Sequence, residues 1–308
     1  MIKVFMNPKP REAYQKKLEC FFNDYEFVYE EDRDAEVIIG SVKPEQIREF
    51  RNLKWFQSYA VGVDAYTKKG VLPEGVILCN APHVHSREVA EHAFASILSA
   101  VKKLHLYRDD QHQNRWKDEG PVKEFSRLRV CIVGFGDIGN ILAKMLKGLN
   151  MHVIGVKRTM SEKPDYLDEL YLKEDLYKAI SDVDVVVSIL PGAGENVHLF
   201  TLDTFKKMRK DTIFVNVGRG NLYSEETLRK VLDEHIIETF VSDVYEKEPL
   251  DPESELWRYD DLVITPHVAG GYHLESAYEA FIDLCIENLT RYKEGRKLLN
   301  VVEERFDR

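Results

Sequence analysis

The feature that most constrains the fold is a glycine-rich turn in the middle of the chain, VCIVGFGDIGNILAKML. Gly134, Gly136 and Gly139 follow a β-branched run and open a helical pattern, and in that context their G-x-G-x-x-G spacing indicates a dinucleotide-binding turn. The first glycine permits the tight turn, the second lets a pyrophosphate approach the backbone, and the third lets the helix pack on the strand. Asp137 and Ile138 complete the predicted contact, because the helix N-terminus offers N–H groups to phosphates. A tight turn that binds no ligand is the alternative.

Short β-rich runs alternate with helical patterns along the chain, which predicts parallel α/β sheets. One series runs from IKVFMN to VILCNA, and a second from LRVCIVG to LVITPH. Helical spacing extends from Arg87 to about Leu106 and from about Leu274 to Tyr292, where the chain is expected to cross between domains. We therefore predict an α/β protein of two doubly wound domains: a Rossmann dinucleotide-binding domain, 101–280, inserted in a flavodoxin-like substrate domain, 1–100, to which 281–308 returns.

Composition excludes several classes of protein. A formal net charge of −10 argues against nucleic-acid binding, because phosphate contacts need a basic face. No apolar stretch approaches the roughly 20 residues that span a bilayer, and MIKVFMNPKP is typical of a first strand rather than a signal peptide. The cysteines form no C-x-x-C pair and lie in apolar stretches, so we expect buried thiols in a reducing cytoplasm. They are Cys20, Cys79, Cys131 and Cys285.

Two cations end the strand that follows the glycine-rich turn, in the segment VIGVKRT. A Rossmann fold that binds NAD usually has an acidic residue there, about 20 residues beyond the turn, which binds the adenosine ribose. Lys157 and Arg158 would instead pair with a 2′-phosphate, and Thr159 adds a hydroxyl donor. The segment therefore predicts NADP(H) as the preferred cofactor, with NAD(H) as the other possibility. Ordinary surface cations are the alternative.

Three later segments place reactive side chains directly after β-runs. They are Arg219 in FVNVGRGNL, Asp243 and Glu248 in VSDVYEKEP, and His267 in VITPHVAGG. Ligands bind at the carboxyl ends of strands in open parallel sheets, so these side chains could share one cleft. Taken singly, each has a structural alternative as a loop cation, a solvated carboxylate or a strand-end histidine. The histidines of PHVHSREVAEH lack the partners that would complete a coordination shell, so no metal site is predicted.

Together these motifs resemble the D-isomer-specific 2-hydroxyacid dehydrogenase family over essentially the whole chain. The resemblance rests on YAVGVD, the AEH helix, VGFGDIG, NVGRG, DVYEKEP and PHVAGG, which occur in the family's order. The Lys-Arg-Thr run in place of the acidic residue is similar to the NADPH-preferring glyoxylate and hydroxypyruvate reductases of that family. The resemblance also implies a homodimer formed through the cofactor domain, with the arm at 103–127 helping.

The resemblance implies a role for each reactive side chain. His267 would donate a proton to the substrate carbonyl oxygen, Glu248 would orient His267, and Arg219 would bind the substrate carboxylate and carbonyl. The backbone N–H groups of Val61 and Gly62 would complete the carboxylate site. The implied cofactor contacts are Asp243, which would bind the nicotinamide carboxamide, and Pro191, Val217, His267 and Gly270.

The leading functional hypothesis is an oxidoreductase that reduces a small 2-oxo acid, such as glyoxylate or hydroxypyruvate, to the D-2-hydroxy acid with NADPH. An NAD-linked oxidation of a D-2-hydroxy acid such as 3-phosphoglycerate is the alternative among enzymes. A non-catalytic protein that senses nucleotides on the same fold is the alternative outside them, because fold alone does not settle function. The absence of a basic face and of a long disordered tail counts against that second alternative.

Overall fold

A computed structural model describes residues 1–21, 23–159 and 161–303. The strands are β1 Ile2–Asn7, β2 Tyr25–Val28, β3 Val37–Gly40, β4 Trp55–Ser58, β5 Ile77–Cys79, β6 Arg129–Val133, β7 His152–Lys157, β8 Glu169–Leu172, β9 Val185–Ser188, β10 Ile213–Asn216, β11 Thr239–Ser242 and β12 Leu262–Ile264. The α-helices are α1 Glu12–Phe21, α2 Asp64–Thr67, α3 Ser86–Val101, α4 Leu104–His112, α5 Asp137–Gly148, α6 Leu176–Ile180, α7 Leu202–Phe205, α8 Glu225–Asp233 and α9 Glu275–Lys293.

The chain divides into two compact units: the first comprises 1–85 and the residues from 272 onward, and the second comprises 86–271. Each unit contains one sheet in which all strand pairs are parallel. The predicted α/β class with two parallel-sheet domains is therefore confirmed. Relative to the predicted limits at 100 and 281, helix α3 lies in the second unit and all of α9 lies in the first.

The first unit has the strand order β2-β1-β3-β4-β5, which is that of flavodoxin-like sheets. Helix α1 buries Tyr14 and Leu18, so Cys20, two positions further along, faces solvent. The prediction of a buried thiol is therefore wrong for Cys20, whereas the other three cysteines are buried. Val301 forms an antiparallel bridge to Cys79, so the C-terminal segment pairs with β5 of this unit; residues 304–308 lie outside the described residues.

The second unit has the strand order β12-β11-β10-β9-β6-β7-β8, in which the order reverses between β6 and β9 as in a Rossmann fold. Strands β9, β10 and β11 are buried along their whole length because helices cover both faces of the sheet. Because these strands are parallel, their carboxyl ends meet at one edge of the sheet, next to the turn between β6 and α5. No helix among the described residues is long and apolar enough to cross a membrane.

The helical pattern predicted from Arg87 to about Leu106 is interrupted in the structure. Helix α3 ends at Val101, Lys103 adopts a left-handed conformation with φ +56°, and α4 begins one residue later. The Lys103 ammonium donates to the carbonyl of Glu119 at 2.7 Å. The break is therefore accompanied by a tertiary contact that fixes the arm after α4 on the second unit.

Candidate active site at the carboxyl edge of the second unit

The glycine-rich turn joins β6 to α5 with little free space on its inner side. Gly134 has φ +100°, and a Cβ atom there would lie 3.0 Å from the backbone of Ile189. A Cβ at Gly139 would lie 3.2 Å from the Ile132 side chain, so the helix packs closely on the strand. At Gly136, by contrast, a Cβ would meet nothing within 4 Å. Of these three glycines, Gly136 is the one with free space beside it, where a pyrophosphate would approach the N-terminus of α5, and the three positions together fit a dinucleotide.

The cationic segment ends β7, the strand that pairs with β6 beside this turn. Lys157 is half-buried, and its ammonium donates to the hydroxyl of Ser161 at 2.8 Å. Arg158 and Thr159 are exposed. The structure thus places both cations at the carboxyl end of the second strand, where the adenosine ribose of a dinucleotide lies in Rossmann folds.

A histidine and a carboxylate form a pair in the loops that follow β11 and β12. His267 lies in a left-handed conformation with φ +52°, and its Nδ1 is 2.6 Å from Oε2 of Glu248. The other carboxylate oxygen accepts the backbone N–H of Tyr245 at 2.8 Å. Because an ionised carboxylate only accepts hydrogen bonds, Nδ1 carries a proton. Acid-base chemistry at His267 therefore falls to Nε2.

The pair favours a protonated imidazole. The hydrogen bond to Glu248 raises the pKa of His267 above its ordinary value of 6.5, against the opposing effects of burial and of the Arg219 charge. Burial acts to raise the pKa of Glu248, but the hydrogen bonds from His267 and from the Tyr245 N–H outweigh it, and that pKa lies below its ordinary value. His267 therefore keeps its proton to higher pH than an isolated histidine does.

The carboxylate of Asp243 fixes the loop that carries His267. This side chain is 2% exposed. One of its oxygens accepts the Thr265 hydroxyl at 2.6 Å and the Val268 N–H at 2.9 Å, and the other accepts the Ala269 N–H at 3.0 Å. Its backbone carbonyl also accepts the N–H of His267 at 2.8 Å. The sequence did not predict that Asp243 binds this loop. The nicotinamide contact expected of Asp243 stays a prediction.

Arg219 lies in the loop after β10, and a buried asparagine shapes that loop. The Asn216 side chain donates to the Arg219 carbonyl at 3.0 Å and accepts the Gly218 N–H at 3.0 Å. A Cβ at Gly220 would lie 1.9 Å from the carbonyl carbon of Tyr245, so the two loops pack directly on each other. The tight packing places Arg219 close enough for its charge to act on the pKa values of the histidine–carboxylate pair. A polar residue at the end of the apolar run FVNVG is the signal that could have identified Asn216.

The remaining predicted residues of this unit lie at the same edge of the sheet. Asp137 and Ile138 form the first turn of α5, Pro191 follows β9, Val217 follows β10, and Gly270 follows β12. Val217 is buried, whereas Pro191 is exposed. The structure therefore brings the predicted cofactor contacts of the second unit to one edge, next to the catalytic candidates.

The two predicted backbone donors belong to the first unit. Val61 and Gly62 follow β4, and Val61 is 42% exposed. Their N–H groups have no hydrogen-bond acceptor within the described part of the chain. Adjacent free N–H groups of this kind suit an anion such as a carboxylate.

The histidines of PHVHSREVAEH serve separate contacts. His85 is buried, and its Nε2 lies 3.3 Å from the carbonyl of Tyr59. His92, on α3, has its Nε2 3.3 Å from the hydroxyl of Thr265. Across the described residues, no three histidine, cysteine, aspartate or glutamate side chains are grouped so as to hold a metal ion. Thr265 also donates to Asp243, and Nε2 of His92 lies 3.9 Å from Oδ1 of Asp243, so both residues lie beside that carboxylate. Sequence spacing did not predict this grouping.

A dinucleotide turn, a histidine–carboxylate pair and an arginine at one sheet edge define a nicotinamide-dependent dehydrogenase. Residues 94–269 match the family described as D-isomer specific 2-hydroxyacid dehydrogenase, NAD binding domain. The chain is 31% identical to the glyoxylate reductase of Pyrococcus furiosus, over 79% of this chain and 74% of that relative. It is 30% identical to the glyoxylate reductase of Pyrococcus horikoshii, over 93% and 84%.

Comparison of the fold with solved structures indicates the same family as comparison of the sequence. A solved structure of a D-isomer specific 2-hydroxyacid dehydrogenase family protein from Aeromonas salmonicida superposes with a TM-score of 0.86 at 27% identity, covering 98% of both chains. The chain belongs to the D-isomer specific 2-hydroxyacid dehydrogenase family. It is an NAD(P)-dependent enzyme of that family, which confirms the resemblance seen in the motifs.

Proposed function

We propose that this protein reduces a small 2-oxo acid to the D-2-hydroxy acid with NADPH. The observation that carries the proposal is the 2.6 Å hydrogen bond between His267 and Glu248, beside Arg219 at the dinucleotide edge. Reduction of a carbonyl needs a hydride on carbon, a proton on oxygen and a cation that polarises the group. The bound nicotinamide supplies the hydride, and the chain supplies the other two.

Each side chain has one task in this scheme. The guanidinium of Arg219 binds the substrate carboxylate and carbonyl oxygen as a planar fork and stabilises the negative charge that develops on that oxygen. Nε2 of His267 gives its proton to the same oxygen, and Glu248 holds the resulting neutral imidazole in place. We assign the N–H groups of Val61 and Gly62 to the substrate carboxylate.

Glyoxylate is the first substrate we propose, because the glyoxylate reductases of the two Pyrococcus species are similar to this chain over most of its length, and hydroxypyruvate is the second, on the motif resemblance alone. Turnover of purified protein with a panel of 2-oxo acids tests the proposal. Faster oxidation of D-3-phosphoglycerate with NAD would favour the other enzyme class, and no turnover with any acid would favour a nucleotide sensor.

We also propose a homodimer formed through the second unit, with 103–127 contributing.

Cofactor choice is tested at the end of β7. Changing Lys157→Asp and Arg158→Ser together should lower kcat/KM for NADPH by roughly 10- to 100-fold, because charge-assisted hydrogen bonds to the 2′-phosphate are lost. The same change should leave kcat/KM for NADH unchanged or raise it. Initial rates with both cofactors at fixed 2-oxo acid measure the effect, and Lys163→Ser serves as the control for a neighbouring surface cation. Wild-type protein that uses NADH as well as NADPH would contradict the assignment.

The pH dependence of reduction should report His267. Its raised pKa means that the proton donor is present at low pH and is lost as pH rises through that pKa. Glu248→Gln removes the negative charge that raises this pKa, so the falling limb of kcat/KM should move to lower pH. Profiles of kcat/KM against pH for the wild type and the variant measure the shift. A limb that stays in place, or moves to higher pH, would contradict the role of Glu248.

A further inference from the structure

In the first unit, the backbone carbonyl groups of the loop after β4 accept hydrogen bonds from neighbouring segments of the chain. The carbonyl of Tyr59 accepts the hydroxyl of Tyr272 and lies 3.3 Å from Nε2 of His85. The rings of His85 and Tyr272 contact each other edge to face at 4.1 Å between centroids. His85 is the last residue of the first unit before the chain leaves it, and Tyr272 is the first after its return. The residue at which the chain leaves the first unit and the residue at which it returns are therefore both bound to this loop.

The next two carbonyls of the loop are also held. The carbonyl of Ala60 accepts the backbone N–H of Ala81 at 3.1 Å, and that of Val61 accepts the side-chain amide of Asn80 at 2.9 Å. In a planar trans peptide the C=O and the following N–H point in opposite directions. Fixing the Ala60 carbonyl therefore orients the N–H of Val61, and fixing the Val61 carbonyl orients the N–H of Gly62.

A buried chain of amides supports Asn80 in turn. The Gln57 side chain donates to the Asn80 carbonyl at 3.1 Å and accepts the side-chain amide of Asn288, on α9, at 2.8 Å. Gln57 and Asn288 are both fully buried. Buried polar networks whose members are satisfied are rigid, because breaking any one bond leaves an unpaired group away from water. Hydrogen bonds therefore connect the loop at Val61, through Asn80, to the buried side chains of Gln57 and Asn288.

We propose that Asn80 and Tyr272 are positioning residues of the loop that offers the Val61 and Gly62 N–H groups to the carboxylate of a 2-oxo acid: Asn80 orients the Gly62 N–H, and Tyr272 anchors the start of the loop. The inference rests on the proposed function for the identity of that ligand. Neither side chain touches the substrate in this arrangement. Asn80 acts on the peptide that contains the Gly62 N–H, and Tyr272 acts one step further back, where the Tyr59 carbonyl keeps His85 as a second donor.

Asn80→Ala should raise KM for the 2-oxo acid by roughly five- to tenfold, the effect of one lost hydrogen bond that orients a binding group. Tyr272→Phe should give a smaller rise, of about two- to threefold, because one of two donors remains. In both variants kcat and KM for NADPH should stay within about twofold of wild type, since only uniform substrate binding is lost. Matched controls in the same unit are Asn52→Ala and Tyr292→Phe, whose partners are Asp34 and Glu36.

Calorimetric titration with oxalate, a carboxylate that cannot be reduced, separates this inference from the proposed function. In protein saturated with NADPH, oxalate should bind more weakly to Asn80→Ala than to wild type, by the same factor as the rise in KM. Equal oxalate binding in both, or no binding by wild type, overturns the inference. So does an equal loss of NADPH affinity together with a lower melting temperature, which indicates a structural role. Wild-type protein that binds oxalate but reduces no 2-oxo acid refutes the proposed function alone.

Discussion

Replacing His267 by glutamine is expected to lower kcat/KM for 2-oxo acid reduction by roughly 10²- to 10⁴-fold, the range that general acid catalysis supplies. Glutamine is polar and similar in length, but its amide cannot deliver a proton at neutral pH. The loop should keep its shape, because the backbone N–H at 267 donates to the carbonyl of Asp243 whatever the side chain. Steady-state kinetics with NADPH and glyoxylate measure the loss, which should appear mainly in kcat.

A second histidine of the same unit provides a matched control. His235 also adopts a left-handed conformation, with φ +45°, and its Nδ1 lies 3.3 Å from Oδ2 of Asp261. Its loop is at the opposite edge of the sheet, before β11. His235→Gln should therefore leave kcat/KM within about twofold, whereas a His267→Gln enzyme that retained more than about a tenth of wild-type activity would contradict the assignment of the proton donor.

Much of the fold could be predicted because its signals are local in sequence. The tight turn at Gly134 follows from its own neighbours, and the apolar runs of β9 and β10 are long enough to indicate buried strands. The break at Lys103 could not be predicted in this way, because the apolar spacing of Val101 and Leu104 continues across it. What accompanies the break is a contact with Glu119, sixteen positions away, which no periodicity of α3 can show.

The site was predictable in part for the same reason. Strand ends mark where reactive side chains gather, and the family's motifs supplied the pairing of His267 with Glu248. The supporting contacts were not predictable, because topology alone brings their members together. Asp243 binds a loop 22 to 26 residues later, and Asn80 donates to the Val61 carbonyl from the end of a different strand. Such residues look like ordinary strand-end polar groups until the sheet order is known.

Arg219 is the other residue for which a large loss is expected. Arg219→Gln should lower kcat/KM for the 2-oxo acid by roughly 10³-fold, since the loss of one oxyanion donor costs about 10²- to 10³-fold and the substrate carboxylate also loses its charge partner. Arg219→Lys should recover only part of this, because an ammonium cannot form two parallel hydrogen bonds. Kinetics with both variants measure the effect, and Arg229→Gln, at an exposed ion pair with Glu255, is the control.

The pH profile distinguishes lost chemistry from a disturbed fold. The positive charge of Arg219 lowers the pKa of His267, whereas Glu248 raises it. Removing that positive charge in Arg219→Gln should therefore shift the falling limb of kcat/KM to higher pH, while Glu248→Gln shifts it to lower pH. A general loosening of the loops would weaken both influences and could not move the two limbs in opposite directions. Limbs that shift the same way in both variants would contradict the arrangement of one cation and one carboxylate around a single imidazole.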